Sequence, residues 1–191
     1  MRLADGSGVV APIALGGGMA AFSFYAHVPK TALLSCLLGW GMLAIAAIDA
    51  RRFTIPDWLS LPAIIVGLVA SGSMLDPSKG HLVNMEHVTG ALLGGSSLWL
   101  VREGYFRLRG REGLGLGDVK LTAAAGAWTG WEHLPYVILL AAVAALAFAL
   151  AWAIARRKGL SGTERIPLGT FLAPSIWVVW SLRELGGGVY Y

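Results

Sequence analysis

Two aspartates stand where an apolar chain has most reason to avoid them: Asp49 ends the run "LLGWGMLAIAAID" and Asp118 opens "DVKLTAAAGAW". A carboxylate at membrane depth is expensive, so acids at the ends of long apolar runs call for a use and a partner. Two carboxylates brought together cannot both ionise cheaply, and one keeps a proton while the other carries the charge. That state polarises a water and protonates a leaving group, which is the chemistry of an aspartic protease.

Each residue also has a plainer reading. Asp118 would serve as the N-cap of a helix starting at Val119, where it suits the positive end of the dipole. Asp49 is harder to explain that way, because an acid at a helix C-terminus opposes the dipole and needs compensation, with Arg51 and Arg52 the nearest sources. Gly113, Gly115 and Gly117 alternate ahead of Asp118 and let the backbone turn tightly or lie close to a peptide. Their G-x-G-x-G spacing does not match the dinucleotide fingerprint G-x-G-x-x-G, and no strand precedes it, so a nucleotide site is set aside.

In "TIPDWLSLP", Pro56 suits the first turn of the next helix, and Asp57 reads as a helix-start residue rather than a catalyst. Lys120 has three readings: it snorkels to the interface, holds an acidic group of a substrate, or stabilises a carboxylate. His81 and His87 share a stretch with Asp76 and Glu86, but His-x5-His without further ligands reads as a solvated surface, so neither metal nor cofactor is expected. Cys36, the single cysteine, lies inside an apolar run and forms neither an intrachain disulfide nor a cysteine-cluster zinc site.

The elements that must position these residues are apolar helices. The 191-residue chain is 56% hydrophobic and 14% charged, with a mean hydropathy of +0.66, whereas a soluble domain averages about 45–50% apolar and about 25% charged. That composition predicts an all-α, polytopic membrane bundle forming one domain over 1–191. With about 20 apolar residues to a crossing, spans fall near 9–28, 31–50, 58–75, 88–101, 119–131, 135–155 and 167–182. Six or seven membrane helices are expected, eight being left open. Spans 88–101 and 119–131 are short for ~30 Å at about 1.5 Å per residue, and must tilt or extend into their flanks.

Placing the N-terminus inside puts Arg2, Arg51, Arg52, Arg102, Arg107, Arg109, Arg111, Lys120, Arg156, Arg157, Lys158 and Arg165 on the cytoplasmic side, leaving Lys30, Lys79 and Arg183 outside. The net charge of +4 therefore reports orientation in a lipid bilayer, and nucleic acid is not an expected partner. Asp49 and Asp118 then lie at the cytoplasmic ends of their helices, at the same depth. Arg2 followed by small and apolar residues has the outline of a signal peptide, but no clear apolar core precedes Gly16-Gly17-Gly18, so the stretch is read as the first span.

Three segments carry a resemblance. "AAIDARRFTIPDWLSLP" resembles the first motif of the type IV prepilin peptidases, membrane aspartyl proteases of the GxGD type. "GLGLGDVKLTAAAGAWTGW" is similar to their G-x-G-D-x-K-L segment and the alanine-rich helix after it, and "RIPLGTFLAP" to their P-F-G-P-F-L-A. The resemblance implies catalytic roles for Asp49 and Asp118 and makes Gly115 and Gly117 the motif glycines, with Lys120 and Pro56 binding substrate or shaping the site.

It further implies cleavage of a short basic leader from prepilins or pseudopilins, after a glycine, at the cytoplasmic face of the bacterial inner membrane. A basic leader followed by an apolar helix would let that helix slide between spans. Many members add a cytoplasmic domain with paired cysteines associated with N-methylation, which this sequence lacks, so peptidase rather than methyltransferase activity is expected. The form is more similar to the minimal peptidases of Flp/Tad-type pili. Leu168 and Thr170 depart from the Phe and Pro of the third motif. Self-association is left open, as are two other readings: a noncatalytic pilus or secretion assembly component, and a proton-coupled transporter on the same scaffold.

Overall fold

Apolar runs punctuated by Gly and Pro fold here as helices. The computed structural model describes residues 7–26, 29–71, 84–110, 113–156 and 167–187, and its regular structure is helical throughout these. α1 covers Ser7–Ala26, α2 Pro29–Arg52, α3 Asp57–Val69, α4 Met85–Arg109, α5 Leu116–Arg156 and α6 Leu168–Gly187. Within α5, Gly130 takes φ 76° and ψ 169°, which breaks the element into two helices. Such a φ is open to glycine without a Cβ penalty.

Among the described residues, a helix covers at least part of each of the seven expected segments, but the lengths differ. The 88–101 segment belongs to a helix of 25 residues, because Asn84 caps its start by accepting from Glu86 N–H at 3.1 Å and Gly110 ends it at φ 64°. Arg102, Arg107 and Arg109 are therefore helical. α3 has 13 residues, roughly 20 Å at ~1.5 Å per residue, which is less than a hydrocarbon core. Among the described residues, two helices are long and apolar enough to cross a membrane: Thr31–Arg52 of α2 and Leu116–Ala155 of α5. Asp76, His81 and the cations Arg2, Lys79, Arg111, Arg157, Lys158 and Arg165 lie outside the described residues.

α5 is the centre of the assembly: α4, α3 and α6 pack on it, α2 packs on α6, and α1 on α2. Met42, Ile45, Leu121, Val137, Ile176 and Trp180 fill the core, and Trp128 meets Trp180 edge to face at 5.8 Å. Small residues bring α4 and α5 unusually close, since a Cβ on Gly126 would strike the Gly90 carbonyl and one on Gly94 the Thr122 carbonyl. Leu139, Val143, Leu146 and Ile154 turn outward along the second half of α5. The first half of α5 is thus fixed against α4, and Asp118 lies in its first turn.

Candidate active site

The site is built where three helix ends meet. α2 ends in a left-handed turn at Phe53, with φ 52° and its N–H donating to the Asp49 carbonyl at 2.8 Å. Glycine ordinarily fills this position, so a phenylalanine there is strained. Thr54, Ile55 and Pro56 complete the corner, Pro56 being the N-cap of α3 with φ −73° and ψ 137°. Asp57 opens α3, as its sequence position predicts.

Asp49 is buried, with 5% of its surface exposed, and its compensation comes from another helix. The Thr170 N–H donates to Oδ2 at 2.8 Å, the Thr170 hydroxyl donates to the same oxygen at 3.2 Å, and the Gly169 N–H adds a third donor. These are first-turn groups of α6, so a carboxylate misplaced on its own helix is well placed on the positive end of its neighbour. The expected compensation by Arg51 or Arg52 is thereby supplied by Gly169 and Thr170.

Asp118 reaches a similar arrangement within its own helix. α5 begins at Leu116 rather than Val119, which makes Asp118 the third helical residue and not the N-cap. Its side chain turns back to accept from the N–H of Gly115, as the acidic member of a capping box does. Arg102 holds the preceding loop by donating from Nε to the Leu114 carbonyl at 3.1 Å, and Gly113 lies against the ring of Tyr105. Asp118 lies within reach of the charge of Asp49 across the junction.

Ile55 lies between the two helix starts. It is buried, and a Cβ built on Gly117 would come within 2.8 Å of its Cβ, while one on Gly169 would come within 2.7 Å of its Cδ1 and 2.9 Å of Asp49 Oδ2. Gly117 therefore gives room to Ile55, whereas a Cβ on Gly115 would face Asp118 Oδ2 at 3.5 Å. Lys120 reaches across to α3: its Nζ donates to Asp57 Oδ1 at 2.6 Å, joining α5 to the start of α3. Pro56 lines an open groove with Ala47, Ile48, Arg51, Arg52 and Trp58.

His87 is not the solvated surface residue its sequence context predicts. It is 2% exposed, and its Nδ1 lies 2.8 Å from the Ala127 carbonyl, which can only accept. In the neutral ring Nε2 is then the acceptor for Arg183, at 3.1 Å. Arg183 also reaches the Thr129 carbonyl at 3.4 Å, and the group closes the break at Gly130. No cluster of His, Cys, Asp and Glu suited to a metal occurs among the described residues.

Of the residues singled out by sequence, Asp49, Asp118, Gly115 and Gly117 meet at this junction, and Pro56 and Lys120 border it through α3. Gly169, Thr170, Ile55 and Arg102 enter the site without having been singled out for it. The third motif held the signal for Thr170: a proline there has neither N–H nor hydroxyl to offer a carboxylate.

Comparison with known proteins supplies the family. The chain is 39% identical over 160 residues to the prepilin leader peptidase/N-methyltransferase of Dickeya chrysanthemi, covering 83% of this chain and 54% of that protein. It is 35% identical over 146 residues to the Aeromonas salmonicida protein of the same name, covering 76% and 48%. With that of Pseudomonas aeruginosa it is 39% identical over 142 residues, covering 74% and 47%. The chain thus spans about half the length of these curated relatives. No solved structure matches it significantly. The type IV leader peptidase profile matches residues 36–150, which takes in Asp49, the Ile55 corner and Asp118, and the chain belongs to that family.

Proposed function

We propose that this protein is a membrane aspartic endopeptidase that removes the short basic leader of type IV prepilins or pseudopilins, after a glycine. The observation that carries the reading is the convergence of Asp49 and Asp118 from separate helices, each carboxylate on the start of a helix and Asp118 within reach of the charge of Asp49. The relatives named above are leader peptidases by name, and the family match, residues 36–150, spans the positions of both aspartates.

In this mechanism the two carboxylates share one proton and bind a water. The ionised member takes a proton from the water as it attacks the scissile carbonyl, and the protonated member donates to the developing oxyanion. No covalent intermediate forms. The donors from Gly169 and Thr170 fix the orientation of Asp49, and Gly115 fixes that of Asp118. Neither carboxylate has to be reoriented from a free rotor.

The bilayer of the bacterial inner membrane is the proposed setting, with the site at its cytoplasmic face. In support, Arg51 and Arg52 end α2, Lys120 lies near the start of α5, and Arg102, Arg107 and Arg109 lie in the C-terminal part of α4 that precedes it, whereas Arg183 is near the far end of α6. The test is mass analysis of a prepilin-type substrate incubated with the purified protein and with Asp49→Asn and Asp118→Asn. Only the wild type should release a leader ending in glycine, while both variants remain inserted and folded. Cleavage at the normal rate by either variant would sink the dyad.

A further inference from the structure

α2 and α3 are neighbours in sequence, yet they part company after their corner. α3 leans on α5, where the Trp128 indole N–H donates to the Ala63 carbonyl at 2.8 Å, and α2 packs instead on α6. Between them is an open cleft of about 160 Å³, comparable to cavities that hold a benzene-sized apolar group. Gly41, Met42 and Ile45 wall it on one side, Leu59 and Val66 on the other, and Trp128 contributes from α5. No charged residue lines it.

Two observations connect this cleft with the carboxylates. Ile45 lies one helical turn before Asp49, and Met42, Ile45 and Asp49 are all buried on α2, so the cleft follows the face that leads to the site. At Gly41, an added Cβ would meet nothing within 4 Å, so the helix leaves space there that no neighbour fills. A polypeptide with its scissile bond at the dyad must leave the site in two directions. On the side that runs along α2 the walls are apolar, and an occupant with unpaired polar groups would be penalised.

We propose that the α2–α3 cleft binds an apolar segment of the polypeptide substrate, contiguous with the scissile bond and entering the bilayer beside α2. The proposal rests on the peptidase reading above. It assigns substrate recognition to Gly41 and its surroundings, separate from the carboxylates. A lipid chain is the competing occupant, and filling the cleft would then leave substrate affinity unchanged.

The experiment uses the purified full chain in lipid nanodiscs and two peptides. One carries a basic leader ending in glycine followed by ~20 apolar residues, enough to cross a bilayer; the other keeps only the first few of those residues. Gly41→Leu adds bulk at the cleft wall from a Cβ that meets no neighbour and favours the helix. It should raise KM for the long peptide about tenfold, worth ~1.4 kcal/mol of binding, with kcat and the short peptide's KM unchanged.

Leu37→Ser changes a side chain that is 59% exposed at the rim, so it tests the same point with little risk to folding, and should raise the long peptide's KM in the same selective way. A photoreactive benzoylphenylalanine at position 37, placed in the Asp49→Asn background, should crosslink the long peptide and not the short one. Cleavage by wild type with unshifted KM in both cleft variants and no crosslink would overturn the cleft alone. A crosslink without any wild-type cleavage would overturn the peptidase reading and leave the cleft standing.

Discussion

The two ends of α6 solve opposite problems. Near its end, Arg183 joins buried His87 and the carbonyls beside Gly130 in a network whose members face one another. At its start, Gly169 and Thr170 give their donors to Asp49, while Asp118 across the junction is only partly buried and the Asp57 side chain is 63% exposed. The first end holds α4, α5 and α6 together through satisfied polar groups. The second keeps two carboxylates oriented, one buried and one partly exposed.

If the ends are separable in this way, substitutions should divide into those that lower the amount of folded protein and those that lower its rate. The largest effect is expected at Gly126→Ala, where the new Cβ runs into the Gly90 carbonyl. A loss on the order of 3 kcal/mol follows from overpacking backbone against backbone, seen as a lower Tm and reduced yield in detergent. Next comes His87→Ala, which removes the acceptor for Arg183 and the donor to Ala127. It should cost about 2 kcal/mol, while the kcat of the surviving folded protein stays at the wild-type value; a loss of kcat at unchanged Tm would erase the distinction between the ends.

At the other end the pattern should reverse. Thr170→Val keeps the N–H donor to Asp49 and deletes the hydroxyl donor, so cleavage should slow by about tenfold, the equivalent of ~1.4 kcal/mol in the barrier, with Tm nearly unmoved. Thr170→Ser restores the hydroxyl and should restore the rate. The smallest effect belongs to Lys120→Met, which breaks the pair with a largely exposed Asp57. Exposed pairs contribute roughly 0.2–1 kcal/mol, and a shift in Tm well beyond that range would make the α3–α5 tie a structural clamp in its own right.

The helices and the two aspartates were legible because both rest on local patterns: apolar runs bounded by Gly and Pro, and acids at the ends of those runs. What holds the aspartates was not. The Thr170 donor lies 121 residues from Asp49, and the Lys120 partner lies 63 residues away in Asp57, so only the packing of helices joins them. His87 was misread as solvated because its burial depends on the Ala127 carbonyl and on α5 being broken at Gly130. Asp118 sits three positions deeper in its helix than expected, because α5 begins at Leu116 rather than Val119 and Leu116 and Gly117 belong to the first turn.

Phe53 and Gly117 exchange the roles their residue types would suggest. Phe53 occupies a left-handed backbone that glycine would adopt freely, whereas Gly117 and Gly169 lie outside that region and are constrained by volume. The space they forgo is filled by the one side chain of Ile55. The glycine before Asp118 is thus half of a size complement whose other half lies on a different segment, and the two positions are free to change only together. A methyl added at residue 117 calls for a smaller side chain at residue 55, so the short glycine signature carries the imprint of an isoleucine that it does not contain.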